Sequence, residues 1–131
     1  MFTLHRSKHF TIEYWQASRY VRLVRSAVPF KSPEEAGDAL KECDVAIRDI
    51  DPSNLGILMD WRLGPFSTDP RLHQFVVENA DAFASRFVRR AVLVVTPVGK
   101  LQLDRVLRNM SSTNPIIFND ETAALEYVTS R

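Results

Sequence analysis

Arg89-Arg90-Ala91-Val92-Leu93-Val94-Val95-Thr96 is the stretch that decides the fold. Residues 91–95 are an unbroken apolar run, β-branched at Val92, Val94 and Val95. A short run of this kind suits a central strand covered on both faces, as in parallel sheets flanked by helices. Ile57-Leu58-Met59, finishing at Asp60, is a second such run and reads as another buried strand. Between the two, Asp69-Pro70 has the form of a helix cap and first turn. Leu72, Phe75, Val76, Ala80, Phe83 and Phe87 then supply the apolar face of an amphipathic helix. The centre of the chain is therefore strand, helix, strand.

The same alternation continues towards the N-terminus. Ser32-Pro33-Glu34-Glu35 is a capping box with proline at the first helical position. The serine hydroxyl can accept from the Glu35 amide while the Glu35 side chain reaches back to the cap. Ala36, Leu40, Cys43, Ile47 and Ile50 mark one face of that helix, and Asp51-Pro52 ends it. Cys43 on this face reads as packing rather than as a reactive thiol. Further upstream, Phe10, Ile12 and Tyr14 alternate with Thr11 and Glu13, the period of a half-buried strand over 8–15. Residues 19–27 admit two readings. As a strand they put Tyr20, Arg22 and Val24 on one face; as a helix they stripe Tyr20, Val21, Val24, Ala27 and Val28. The β-branched and aromatic content, and the short Gln16-Ala17-Ser18 connection, favour the strand. Residues 1–7 are expected to fray.

Beyond the central run, Thr96-Pro97-Val98-Gly99 turns the chain into a helix carrying Leu103, Val106, Leu107 and Met110. Ile116-Ile117-Phe118 is a short strand. Asn119-Asp120-Glu121 can cap a last helix with Ala124, Leu125, Tyr127 and Val128. The expected order is β-β-α-β-α-β-α-β-α, a single α/β domain over 1–131 with a largely parallel central sheet flanked by helices.

Composition narrows the class. The chain has 131 residues, 45% hydrophobic and 25% charged, ordinary values for one globular domain. No apolar stretch approaches the roughly 20 residues that span a bilayer, so no transmembrane segment is expected. The N-terminus shows no secretory pattern, and a lone cysteine cannot form an intramolecular disulfide or a multi-cysteine zinc site. These features point to a cytoplasmic protein. Net charge is +1, which gives no general field for nucleic acid, and none is expected as a partner. The charge is unevenly spread, however. Residues 1–31 hold six basic residues and one acidic, a balance of +5, whereas residues 32–60 hold two and eight, a balance of −6. Residues 61–115 carry +4 and residues 116–131 carry −2. Such a dipolar surface suits a protein partner, or a homodimer in which the two segments pair across a two-fold axis.

The order of elements at this length resembles the STAS (anti-sigma-factor-antagonist-like) domain and the related SpoIIAA-like bacterial proteins, over about residues 8–129. Ile57-Leu58-Met59-Asp60-Trp61-Arg62 is similar to a central strand ending in an acid and an arginine. Thr96-Pro97-Val98-Gly99-Lys100-Leu101-Gln102 resembles the turn that starts the third helix in such proteins, and residues 117–125 resemble their final strand and helix. The resemblance implies a non-enzymatic, regulatory protein-interaction module. It also implies a switch serine between the third strand and the second helix, where phosphorylation adds about −1.5 to −2 charges. The matching stretch is Phe66-Ser67-Thr68-Asp69-Pro70. Ser67 and Thr68 are thus candidate phosphorylation positions, although Asp69-Pro70 replaces the family's Ser-Gly.

Asp60 is placed at the carboxyl end of an inner strand, where open α/β sheets bind ligands. With Arg62, Ser67, Thr68, Thr96, Lys100, Gln102 and Arg105 it makes a candidate rim for a partner or ligand. The helix after Val98 would add amide donors for an anion. The alternative function is therefore a carrier or sensor of a small anionic ligand, or of a lipid, since SpoIIAA-like chains are also similar to CRAL-TRIO lipid-binding folds. No glycine loop, dinucleotide fingerprint or nucleophile elbow is present, so no catalytic residue and no cofactor are expected. His5 and His9 are spaced i,i+4 in the expected frayed end without a further metal ligand, and His73 edges the second helix. No metal is expected.

Overall fold

The structure, a computed structural model, describes residues 1–65, 69–95 and 115–130. Three strands come first: β1 (Phe2–Arg6), β2 (Phe10–Trp15) and β3 (Tyr20–Arg25). Then follow α1 (Pro33–Ala46), β4 (Gly56–Asp60), α2 (Pro70–Ala84), β5 (Arg89–Leu93), β6 (Ile116–Phe118) and α3 (Glu121–Thr129). The six strands form one mixed sheet in chain order. β1, β2 and β3 pair antiparallel, whereas β3, β4, β5 and β6 run parallel. The chain is an α/β protein with helices on both faces of its sheet. The helix expected around Leu103, Val106, Leu107 and Met110 lies outside the described residues.

Residues 2–6 are not frayed, contrary to the expectation above. They form an edge strand, paired from Phe2 opposite Tyr14 to Arg6 opposite Thr11, with a register shift between Thr3 and His5. The physical reason is an apolar anchor: Leu4 packs against the main core beneath α1. The 19–27 stretch is a strand over Tyr20–Arg25, closed onto β2 by a turn in which the Arg19 amide donates to the Gln16 carbonyl at 3.2 Å. Arg19 has φ 58°, the left-handed conformation that a tight hairpin connection needs.

Side chains alternate across the sheet with the strand period. Ile57 and Met59 join Val21, Leu23 and Val92 under α1 and α2. Leu58 joins Tyr20, Ala91 and Leu93 on the opposite face, under Ala124 and Val128 of α3. β4 is buried along its whole length, as its apolar run implies. β5 begins earlier than the apolar run. Arg89 and Arg90 are already in the ladder, opposite Gly56 and Ile57, and Val95 lies beyond the strand, exposed. Long basic stems tolerate half-burial, so the strand need not start at its first apolar residue.

The expected caps form. Ser32 Oγ accepts from the Glu35 amide at 3.1 Å, Asp69 from Arg71, and Asp120 from Thr122. α1 ends at Ala46 rather than at Asp51-Pro52. Ile47 to Ile50 close in tight turns, and Asp51 instead caps a single 3-10 turn at Pro52–Asn54. Cys43 is fully buried on α1, and burial pushes its thiol up to about 12, so it stays protonated and packed.

Candidate functional site at the carboxyl ends of the central strands

Asp60 closes β4 and is 6% exposed. The sheet's alternation turns it to the α3 side, the side that also receives Arg22 from β3 and Glu121 from the first turn of α3. Four donors share its two oxygens. Arg62 gives Oδ1 its backbone amide at 3.2 Å and Nε at 3.0 Å, and gives Oδ2 its Nη2 at 2.8 Å. Arg22 Nη2 donates to Oδ2 at 2.9 Å and to Glu121 Oε1 at 2.5 Å. Arg62 also lies 3.5 Å from Glu121.

Burial alone would raise the Asp60 pKa, but the hydrogen bonds from Arg62 and Arg22 outweigh it and hold the carboxyl below its usual range. Burial likewise opposes the charge on Arg22, and Asp60 and Glu121 more than restore it. Two guanidinium groups and two carboxylates cancel, so this part of the rim offers an anion no net charge. Both oxygens of Asp60 are taken up by its four donors, whereas Glu121 is held through Oε1 alone.

The sign of the pH dependence follows. A carboxyl whose folded pKa is depressed stabilises the fold above its unfolded value, about pH 4, and that contribution is lost as pH falls through the folded value. Asp60→Asn is expected to flatten the fall in urea midpoint between about pH 5 and pH 2. A slope identical to that of the wild type would contradict the ion cluster.

The structure brings Asp60 and Arg62 together as the sequence suggests. Ser67, Thr68, Thr96, Lys100, Gln102 and Arg105 lie outside the described residues. Two members of the cluster were not singled out from sequence: Arg22 and Glu121. The signal for Arg22 was present, because a strand at 19–27 puts a lone arginine between Tyr20 and Val24 on one sheet face. Glu121 reads only as a capping residue until the helix is placed.

A second polar cluster supports the same rim from behind. His9 is 3% exposed, not part of a frayed end. Its Nε2 is 2.8 Å from Glu35 Oε1, its Nδ1 is 3.3 Å from the Val28 carbonyl, and its ring lies 4.4 Å from that of Phe30. This contact diverts the Glu35 side chain from the reciprocal cap expected of it: besides His9, its Oε1 accepts from the Lys31 amide rather than from Ser32.

Arg25, 2% exposed, lies beside His9. Its guanidinium donates to the carbonyls of His9, Ser26 and Val28 at 3.3, 3.1 and 2.7 Å, and sits 4.1 Å from the centre of the Phe30 ring. It makes no ion pair with a carboxylate among the described residues, and burial brings its pKa down to about 10. Gly64, in the loop after β4, lies against its stem. A Cβ on Gly64 would fall 2.8 Å from Arg25 Cγ. Arg25 is thus the floor on which the Trp61-to-Gly64 loop rests.

That loop carries Leu63, 67% exposed, while Trp61 beside it packs into the core. Val95, 61% exposed, follows the neighbouring strand β5. Among the described residues no group of three or more His, Cys, Asp or Glu is arranged to hold a metal ion, and no helix is long and apolar enough to cross a membrane. No known protein family, curated protein or solved structure matches the chain.

Proposed function

We propose that the chain is a non-enzymatic, regulatory protein-interaction module of the STAS, SpoIIAA-like kind, acting in the cytoplasm. Its contact surface is the rim beyond β4 and β5. The observation that carries this reading is Leu63, a large apolar side chain held out to solvent beside a closed, charge-neutral ion cluster. With Val95 it gives the rim apolar contact points bordered by paired charges, the composition of a protein interface. The ion cluster supports the non-enzymatic part, since its buried carboxylate, Asp60, is fully engaged by arginine. Ser67 and Thr68 belong to the same β4–α2 connection. A phosphate there would add negative charge four or five positions along the chain from Leu63.

The test is affinity capture from the source organism with matched bait chains. Leu63→Asp is expected to lose at least about tenfold of a partner retained by the wild type, as a charge at an apolar contact costs roughly 1.4 kcal/mol or more. Ser67→Asp or Thr68→Asp is expected to change the captured amount as well. Capture unchanged in all three variants would remove this surface from the account. Native mass spectrometry of freshly purified chain distinguishes the carrier alternative, because a stoichiometric co-purifying small anion or lipid would favour that reading instead.

A further inference from the structure

α1 and α2 lie side by side on one face of the sheet, and a groove of about 830 Å³ runs between them. Phe75 and Phe83 of α2 and Leu40 of α1 line its apolar part, and Glu34 and Asp38 form its wall at the start of α1, with Lys41 further along the same helix. Between those two acids sits Gly37, in the interior of the helix. Glycine is unfavourable there relative to alanine, because it costs more backbone entropy to order.

Nothing in the fold requires that glycine. Its φ is not left-handed, and a Cβ added to it would lie 3.6 Å from the Phe75 ring, an ordinary contact. What glycine does leave is an open floor, since any larger side chain at 37 would stand in the groove above Phe75.

Charge defines what fits. Glu34 and Asp38 are exposed, one helical turn apart, in no ion pair among the described residues, and they outnumber Lys41, the one basic side chain lining the groove outside the Asp44–Arg86 pair. They lie in the segment of balance −6. The far end of the groove is closed by the Asp44–Arg86 pair, which bridges the two helices. None of the chain's own described helices is basic. α1 and α3 are acidic on balance, and Arg71 in α2 is outnumbered by Glu78 and Asp81. A second copy of those helices therefore does not match the groove.

We propose that this groove takes a basic amphipathic helix of a partner protein. Its lysine or arginine side chains would meet Glu34 and Asp38, with one apolar side chain seated over Gly37 on Phe75. This is helix-in-groove recognition, in which residues at i and i+4 supply the anchors. It goes beyond the rim reading, lies on another surface, and stands or falls separately from it.

The test is an amide NMR titration of the full chain with a 14-residue peptide of leucine and lysine set at helical spacing. A matched peptide with glutamate for lysine is the control. The basic peptide is expected to shift residues around 34, 37, 38 and 75, and the acidic one to shift none of them. Gly37→Leu is expected to weaken binding at least about tenfold while melting no lower than the wild type. The exposed pair Glu34→Lys/Asp38→Lys should do the same without touching the core. No binding, equal binding to the double variant, equal binding of the acidic peptide, or shifts confined to the rim would each overturn the proposal. So would a concentration-dependent homodimer that Gly37→Leu dissolves, since a second copy would then own the groove.

Discussion

Gly56→Ala is expected to lower the unfolding free energy by at least about 3 kcal/mol, the upper range for forcing volume into a packed core. The position opens β4, and α3 crosses it closely. A Cβ there would lie 2.2 Å from the Val128 carbonyl oxygen and 2.9 Å from Val128 Cβ. Both obstacles belong to the last turn of a packed helix, so no side-chain rotation relieves the clash. Either β4 leaves the ladder with β3 and β5, or α3 lifts off Leu58, Ala91 and Leu93. The second route also pulls Glu121 away from Arg22 and Arg62, linking a glycine at one end of the sheet to the ion cluster at the other. Urea denaturation of the two chains measures the effect. A loss under about 1 kcal/mol would mean that α3 does not sit on β4 in this way.

Arg25→Ala is the second large effect, at about 3 kcal/mol or roughly 10 °C in Tm. Three carbonyls lose their guanidinium donor, and Phe30 and Phe10 lose the planar cation stacked against them. The His9 carbonyl keeps the Ser26 amide as a donor and the Val28 carbonyl keeps the His9 ring at Nδ1, so the acceptor left unpaired is chiefly that of Ser26. Arg25→Lys keeps the charge but not the planar fork, and its stability should fall between wild type and alanine. The substitution also removes the floor beneath Gly64, so the Trp61-to-Gly64 loop loosens and partner capture weakens with it. Thermal melting checks the first part and the capture assay the second. An alanine variant melting within about 2 °C of wild type would mean that the buried cation contributes nothing net.

Residue patterning made the central elements legible in physical terms. The apolar runs at 57–59 and 91–93 have nowhere to go but a covered strand, and Ser32-Pro33, Asp69-Pro70 and Asp120 announce their helices by local capping chemistry. Local chemistry has a short reach, and the misreadings lie where a distant contact decided the outcome. Residues 2–6 read as a fraying end until Leu4 meets the core. His9 looks exposed until α1 brings Glu35 to it from 26 positions away. Arg22 meets Asp60 across 38 positions and Glu121 across 99, separations at which spacing along the chain carries no signal. Asp60 and Arg62 were readable as a pair because they are neighbours. That they are saturated rather than free depends on the two residues the chain brings from far away.

The claim that the carboxyl-end rim is a protein-contact surface is tested most directly by a photo-crosslinking amino acid placed at Leu63 in the living source cell. The control position is Val88, also exposed, at the opposite end of the central strands. The account predicts one discrete crosslinked protein from position 63 and none from position 88. No crosslink from 63, or the same band from both positions, would contradict it.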